Sequence, residues 1–186
     1  MVYVVALFLF PKLYVAVAGI ALILCFTGIE LARFRAVTLQ RWLGLRLALF
    51  LRSEEERRLT GATYFLLGAT ITVILFPRNI AALAILFLAF GDPVAAAVGV
   101  WKGRTKLWGR AWGANLACLA TCMVIGAAMS LRTHEPALLE AEMGAVFGTL
   151  FQALPWRIDD NLTIPVGSAA IMLLTETILR LAGASF

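Results

Sequence analysis

The residues of this chain best suited to chemistry are carboxylates at the edges of long apolar runs. Asp92 stands directly before a proline, and Asp159 and Asp160 are followed by Asn161. Ionisable side chains at membrane depth are costly and are therefore candidates for function. Carboxylate and amide oxygens suit a hard cation such as Mg²⁺ that also binds phosphates. Both groups also have a structural interpretation, because Asp is a good helix N-cap and acidic residues are favoured at helix N-termini.

A basic segment that contains glycines follows the first carboxylate. Gly99 and Gly103 are four residues apart and form one smooth helix face. Such a face permits either close helix packing or the approach of backbone to a phosphate. Cationic groups that could bind a polyphosphate lie nearby, at Lys102, Arg104, Lys106 and Arg110. The chain has no GxxxxGK[ST] sequence, so this segment is not a P-loop.

The composition indicates where these residues must be positioned. Of the 186 residues, 62% are apolar and 15% are charged, and the mean hydropathy is +0.91. A soluble domain is nearer half apolar and a quarter charged, so a soluble enzyme, a disordered chain and a disulfide scaffold are excluded. We expect an all-α integral membrane bundle that forms a single membrane domain over residues 1–186. The net charge of +5 is explained by topology-setting Lys and Arg and requires no nucleic acid.

The apolar runs predict about six membrane-spanning helices, each needing roughly 20 residues. These spans are 13–32, 60–77, 80–100, 111–131, 138–154 and 163–182. A short apolar helix is expected over 2–10, and an interfacial helix over 34–51.

The distribution of basic residues predicts the orientation. They concentrate in segments 33–58 and 101–110, which should therefore be cytoplasmic. Alternating the spans then places 155–161 in the cytoplasm and the C-terminus outside. The expected active-site loops, all on the cytoplasmic side, are 52–61, 91–110 and 155–163.

Further polar and small residues follow helical spacing. A four-residue stripe on the span 138–154 should face the bundle; it consists of Glu140, Gly144, Gly148 and Gln152. Whether Gln152 also reaches the site stays open at this point. Asn115 is expected to form a hydrogen bond across helices, and Glu176 with Arg180 to form a structural pair.

Taken together, the two carboxylate segments resemble motifs of the CTP-dependent lipid alcohol kinases, which include dolichol kinase, phytol kinase and the CTP-dependent diacylglycerol kinase. Segment 91–106 is similar to the nucleotide-binding motif of that family, which phosphatidate cytidylyltransferases share, and segment 159–165 is similar to its second signature. The resemblance covers roughly residues 20–182. The chain departs from the family at Gly113 and Gln152, where acidic residues are usual.

This resemblance implies transfer of the γ-phosphate of CTP to the hydroxyl of a membrane lipid alcohol, such as a polyprenol or dolichol, phytol or diacylglycerol. It implies catalytic carboxylates at Asp92, Asp159 and Asp160, with Mg²⁺ or another divalent cation on Asp92 and Asp160. The nucleotide-binding residues it implies are Ala95, Gly99, Lys102, Gly103, Arg104, Lys106, Arg110, Asn161 and Thr163. The supporting residues are Glu30, Arg52, Glu55 and Asn115.

Two alternatives remain at the level of the sequence. One is a CTP:phosphatidate-type cytidylyltransferase, which would release pyrophosphate instead of CDP. The other is a membrane transporter or scaffold without catalysis, which the missing acidic residues favour somewhat. An oligomer is possible in each case, because Gly144 and Gly148 suit a helix–helix contact.

Overall fold

Apolar helices make up most of the chain in the computed structural model. It describes residues 1–35, 60–102, 106–107, 110–133, 136–154 and 158–183, without the side chains of 33–35, 102, 106, 107 and 110. The helices are α1 (Val2–Leu9), α2 (Lys12–Arg35), α3 (Gly61–Leu75), α4 (Arg78–Leu86), a π-helical segment (Phe87–Gly91), α5 (Asp92–Lys102), α6 (Trp112–Thr133), α7 (Leu138–Ala153) and α8 (Asp160–Leu181). Between α5 and α6, the short strands β1 (Lys106–Leu107) and β2 (Arg110–Ala111) pair antiparallel, with Lys106 opposite Ala111.

Within the described residues, four helical stretches are long and apolar enough to cross a membrane. They are Lys12–Ala32, Arg78–Trp101, Trp112–Thr133 and Asp160–Leu181. The helical membrane fold is therefore confirmed. The two other expected spans correspond to α3 and α7, whose 15 and 16 residues rise only about 23 Å at 1.5 Å per residue. The count of six spans accordingly stays a prediction, and most of the expected interfacial helix 34–51 lies outside the described residues.

The segment that contains Asp92 is a continuous helix and not the expected loop. Residues 92–102 are helical, and the backbone of Asp92 has α-helical angles, φ −65° and ψ −46°. The N-cap interpretation of Asp92 is therefore wrong. Pro93 has no N–H to donate to the carbonyl oxygen of Ala89, and a widened π turn just before it lets the helix continue through this defect.

Small residues permit close antiparallel packing of the last three helices. A side-chain carbon added at Gly144 would lie 2.6 Å from Met172, and one at Gly148 would lie 3.3 Å from Ser168. A side-chain carbon added at Gly126 would lie 3.3 Å from Ala141. The expected inward stripe is confirmed, since all four of its members on α7 are buried.

At the end of the bundle opposite the hairpin that β1 and β2 form, two basic side chains bind helix-end carbonyls. Lys12 Nζ donates to the carbonyl oxygen of Phe76 at 2.7 Å, and Arg78 Nη2 donates to that of Phe10 at 3.1 Å. These contacts satisfy carbonyls that a helix end leaves without an intrahelical partner. The expected pair between Glu176 and Arg180 is also confirmed.

Candidate active site

Asp92 is held by a side chain from another helix. Gln152 Nε2, on the last turn of α7, donates a hydrogen bond of 2.9 Å to Asp92 Oδ1. Gln152 is fully buried, whereas Asp92 is partly exposed. The open question about Gln152 is thereby answered, because the residue that stands where an acid is usual contacts the first candidate carboxylate directly.

The packing register brings Asp92 close to the start of α8. Gly144 lies opposite Met172 and Gly148 opposite Ser168, so four residues forward on α7 correspond to four residues back on α8. Continuing this register puts Gln152 opposite Ile164, four residues after Asp160. Four residues of α-helix rise about 6 Å. The partner of Asp92 therefore lies about one helical turn from the second carboxylate segment.

Asp159 caps α8. Its Oδ1 accepts the backbone N–H of Asn161 at 2.9 Å and the side-chain amide of Asn161 at 2.8 Å. The structural interpretation is confirmed for Asp159, whereas Asp160 lies in the first turn of the helix and is partly exposed. Of the two adjacent carboxylates, Asp159 thus has a defined role in the fold.

The backbone of the second segment packs directly against α3. A side-chain carbon at Gly68 would lie 2.2 Å from the carbonyl oxygen of Asn161. Only a residue without a side chain permits this approach. Sequence reasoning did not single out Gly68, since a glycine within an apolar run carries no signal about which element lies across from it.

Buried amide atoms without partners lie at the same depth as Gln152. Thr149 contacts Cys118 and Gly126 faces Ala141, a register that puts Asn115 opposite Gln152. Asn115 is 7% exposed, and its Oδ1 and Nδ2 have no hydrogen-bond partner among the described residues; neither has Gln152 Oε1. The cross-helix hydrogen bond expected for Asn115 is therefore not found there. Buried polar atoms normally bind water or another group, so this depth is suited to a polar ligand.

Glu30 ties two helices together. Its Oε1 accepts the backbone N–H of Thr60, at the start of α3, at 2.8 Å, and the residue is 4% exposed. This contact gives Glu30 a structural role at the N-terminus of α3. Arg52 and Glu55, expected to act beside it, lie outside the described residues.

The candidate nucleotide-binding residues are described only in part. Ala95 is buried at 3% exposure, and a side-chain carbon at Gly99 would lie 3.6 Å from Ala114. This is an ordinary van der Waals distance, so a role of Gly99 in nucleotide binding stays a prediction. Gly103 and Arg104 lie outside the described residues. For the three other basic residues the structure gives the backbone alone, at the end of α5 and in the hairpin; they are Lys102, Lys106 and Arg110.

Within the described part of the chain, no group of three or more His, Cys, Asp or Glu residues is arranged to hold a metal ion. Mg²⁺ does not require one, because it keeps several waters and is bound through one or two carboxylates together with substrate phosphates. The carboxylate oxygens of Asp92 and Asp160 and the amide oxygen Oε1 of Gln152, which has no partner among the described residues, are chemically suited to a cation of this kind.

Comparison with known proteins supports the same family. No protein-family model and no solved structure matches the chain. It is 25% identical over 175 residues to CTP-dependent diacylglycerol kinase 1 of Schizosaccharomyces pombe, covering 86% of this chain and 80% of that protein. It is 26% identical over 172 residues to the uncharacterized protein RP860 of Rickettsia prowazekii, covering 85% and 84%. The resemblance that the two motifs indicate is thus confirmed: over most of its length, the chain is similar to a CTP-dependent lipid kinase.

Proposed function

We propose that this chain is a CTP-dependent kinase that phosphorylates the hydroxyl of a membrane lipid alcohol. The observation that carries the proposal is the hydrogen bond from Gln152 to Asp92, about one helical turn from Asp160. This hydrogen bond fixes a carboxylate near a second carboxylate segment, as a site for phosphoryl transfer requires. A second, independent support is that the chain is similar over 86% of its length to a protein named CTP-dependent diacylglycerol kinase.

In the reaction, the lipid hydroxyl oxygen forms a bond to the γ-phosphorus of CTP. The bond from that phosphorus to the oxygen that bridges to the β-phosphate breaks, and CDP leaves with the electron pair. The hydroxyl proton passes to a carboxylate, that of Asp92 or Asp159. Phosphoryl transfer depends mainly on positioning and on neutralising charge, which fixed side chains at helix ends supply.

Asp92 and Asp160 are the residues that would hold Mg²⁺. When bound, the ion would neutralise phosphate charge. Asp160 is preferred over Asp159 for this role because Asp159 Oδ1 already accepts two hydrogen bonds as the cap of α8. The orientation of Asp92 depends on Gln152.

The triphosphate of CTP is bound by the basic residues at the end of α5 and in the segment that follows it, namely Lys102, Arg104, Lys106 and Arg110. Gly99 and Gly103 permit backbone approach to a phosphate. Ala95 supports the site through packing, because it is buried. Asn161 lies next to Asp160 and completes the nucleotide side of the site.

The site faces the cytoplasm in this proposal, where CTP is available, and the C-terminus lies outside. The concentration of basic residues in segment 101–110 supports this orientation. Trp101 and Trp112 are both exposed at the helix ends nearest the hairpin, which supports the position of that end at a membrane–water interface. Lys12 and Arg78 lie at the opposite end and donate to helix-end carbonyls. Among the acceptors, diacylglycerol is the first to test, with polyprenols and phytol next.

The test uses purified protein in detergent with Mg²⁺, diacylglycerol and CTP labelled on the γ-phosphate. We expect label in an organic-soluble product whose mass is that of the lipid phosphate. Asp92→Asn, which can still accept from Gln152, should lower the rate by roughly 100-fold or more with an unchanged thermal unfolding temperature. In a second assay with phosphatidate in place of diacylglycerol, label released as pyrophosphate would instead indicate a cytidylyltransferase. No turnover with any of the three alcohols would indicate a transporter or scaffold.

A further inference from the structure

An apolar groove of about 380 Å³ lies beside the start of α8. Its walls come from α3, the end of α7 and the first two turns of α8, and they include Ile71, Phe151, Leu162 and Val166. The volume lies within the range of small-molecule sites, which bind ligands through apolar walls and a few polar groups. Such a groove fits a hydrocarbon chain and disfavours a charged nucleotide.

Thr163 also lines this wall, and its hydroxyl, which is buried below the surface of the groove, differs from other helical hydroxyls of the chain. Those of Thr72, Thr121 and Thr175 donate to the carbonyl four residues earlier, at 2.7, 2.8 and 2.9 Å. The Oγ1 of Thr163 is buried and has no partner among the described residues. The carbonyl it would reach, that of Asp159, accepts the backbone N–H of Thr163 at 3.2 Å.

A buried hydroxyl without a partner is unfavourable by about 1–3 kcal/mol, so a ligand hydroxyl that it reaches by rotation of the Thr163 side chain would be stabilised here. Thr163 is three residues after Asp160, and side chains at this helical spacing have Cβ atoms about 5–6 Å apart. A hydroxyl bound to Thr163 would therefore lie close to the carboxylate that we assign to the phosphate side of the site.

We propose that this groove binds the apolar tail of the lipid alcohol and that Thr163 forms a hydrogen bond with the hydroxyl to be phosphorylated. This inference rests on the proposed kinase function. It moves Thr163 from the nucleotide side of the site, where the family resemblance put it, to the lipid side. The occupant is a neutral lipid with a free hydroxyl, as distinct from the phospholipid of the surrounding bilayer.

The test is photolabelling in detergent without nucleotide, so that it does not depend on turnover. The probe is a diacylglycerol with a diazirine in one acyl chain, compared with the same molecule whose hydroxyl is methylated. We expect label on residues 158–167 and near Ile71, about fivefold stronger for the alcohol, as one hydrogen bond provides. Thr163→Val should remove this difference between the probes.

A variant whose larger side chain fills the groove, together with a control variant outside it, provides the matched comparison. Ile71→Trp should lower labelling of residues 158–167 at least fivefold, whereas Ile74→Trp, one turn further along α3 and outside the groove, should not. Both variants are checked by thermal unfolding.

The outcomes separate the two proposals. Label in the groove with the expected preference for the alcohol, but no phosphorylation, would retain the lipid site and overturn the kinase. Phosphorylation that Ile71→Trp leaves unchanged, or equal labelling by both probes in the wild-type protein, would overturn the lipid site alone.

Discussion

Gln152 donates a hydrogen bond to Asp92 across 60 residues of sequence, from a fully buried amide to a partly exposed carboxylate. Because the amide donates, the contacted oxygen of Asp92 acts as an acceptor. In the lipid alcohol kinases that the chain resembles, an acid is common at this position. The neutral amide gives the site one negative charge fewer, and it holds Asp92 without competing for a cation.

Replacing this amide should lower activity more than stability. In Gln152→Leu, Asp92 loses this hydrogen bond, but the buried Oε1 atom of Gln152, which has no partner among the described residues, is also removed, so the unfolding temperature should change little. We expect a loss of about tenfold in turnover, which corresponds to one hydrogen bond of about 1.4 kcal/mol. The measurement is the labelled-CTP assay. Gln152→Asn, which is shorter by one methylene, should behave like the leucine variant; full activity in both would show that this contact has no influence on the reaction.

The two adjacent carboxylates, Asp159 and Asp160, should have different functions. Asp159→Ser keeps a good N-cap for α8, so we expect near-wild-type stability. Most of the activity should remain if Asp160 is the cation ligand and Asp92 accepts the hydroxyl proton. Asp160→Ser should lower turnover by roughly 100-fold or more with the helix intact. Asp159→Ala, which lacks a cap, should destabilise the protein by about 1 kcal/mol. If Asp159→Ser is inactive and Asp160→Ser is active, Asp159 and not Asp160 is the cation ligand; if both are inactive, Asp159 is the acceptor of the hydroxyl proton.

Some features of the fold and of the candidate site follow from local sequence, and others do not. The helical membrane fold and the buried stripe on α7 could be predicted, because apolar length and four-residue spacing are local properties. The hydrogen bond from Gln152 to Asp92 could not be predicted, since nothing in the sequence near Asp92 indicates which residue of α7 lies across from it. The alternative interpretation of Asp92 as an N-cap, which rests on Gly-Asp-Pro, is wrong, because the preceding turn adjusts to the proline and no break occurs.

Gly68 should be intolerant of a side chain. In Gly68→Ala, the added carbon would overlap the carbonyl of Asn161, and overpacking of this kind costs about 1–3 kcal/mol. We expect a lower unfolding temperature and reduced turnover, since the second carboxylate segment must shift. Gly28→Ala is the matched control, because its added carbon would meet nothing within 4 Å and alanine favours a helix. Equal effects of the two changes would contradict the close approach.

The contact of α1 with α3 can be measured by a double-mutant cycle. Tyr3 Oη and Thr70 Oγ1 lie 2.8 Å apart, in a buried position. Tyr3→Phe and Thr70→Val should each lower stability, and the double variant should lose less than the sum by about 0.5–1.5 kcal/mol. Thermal unfolding in detergent provides the values. Strict additivity would mean that the two hydroxyls do not interact.

The π segment Phe87–Gly91 also affects how the helix that contains it can be represented. A π turn closes its hydrogen bond one residue later than an α turn, and each α-helical residue turns about 100°. The residues before and after the segment are therefore out of phase by up to about this angle. A single helical wheel drawn over 78–102 cannot show both the buried face of α4 and the direction of Asp92. Deleting one residue within 87–91 would bring the two halves into phase and turn Asp92 away from α7.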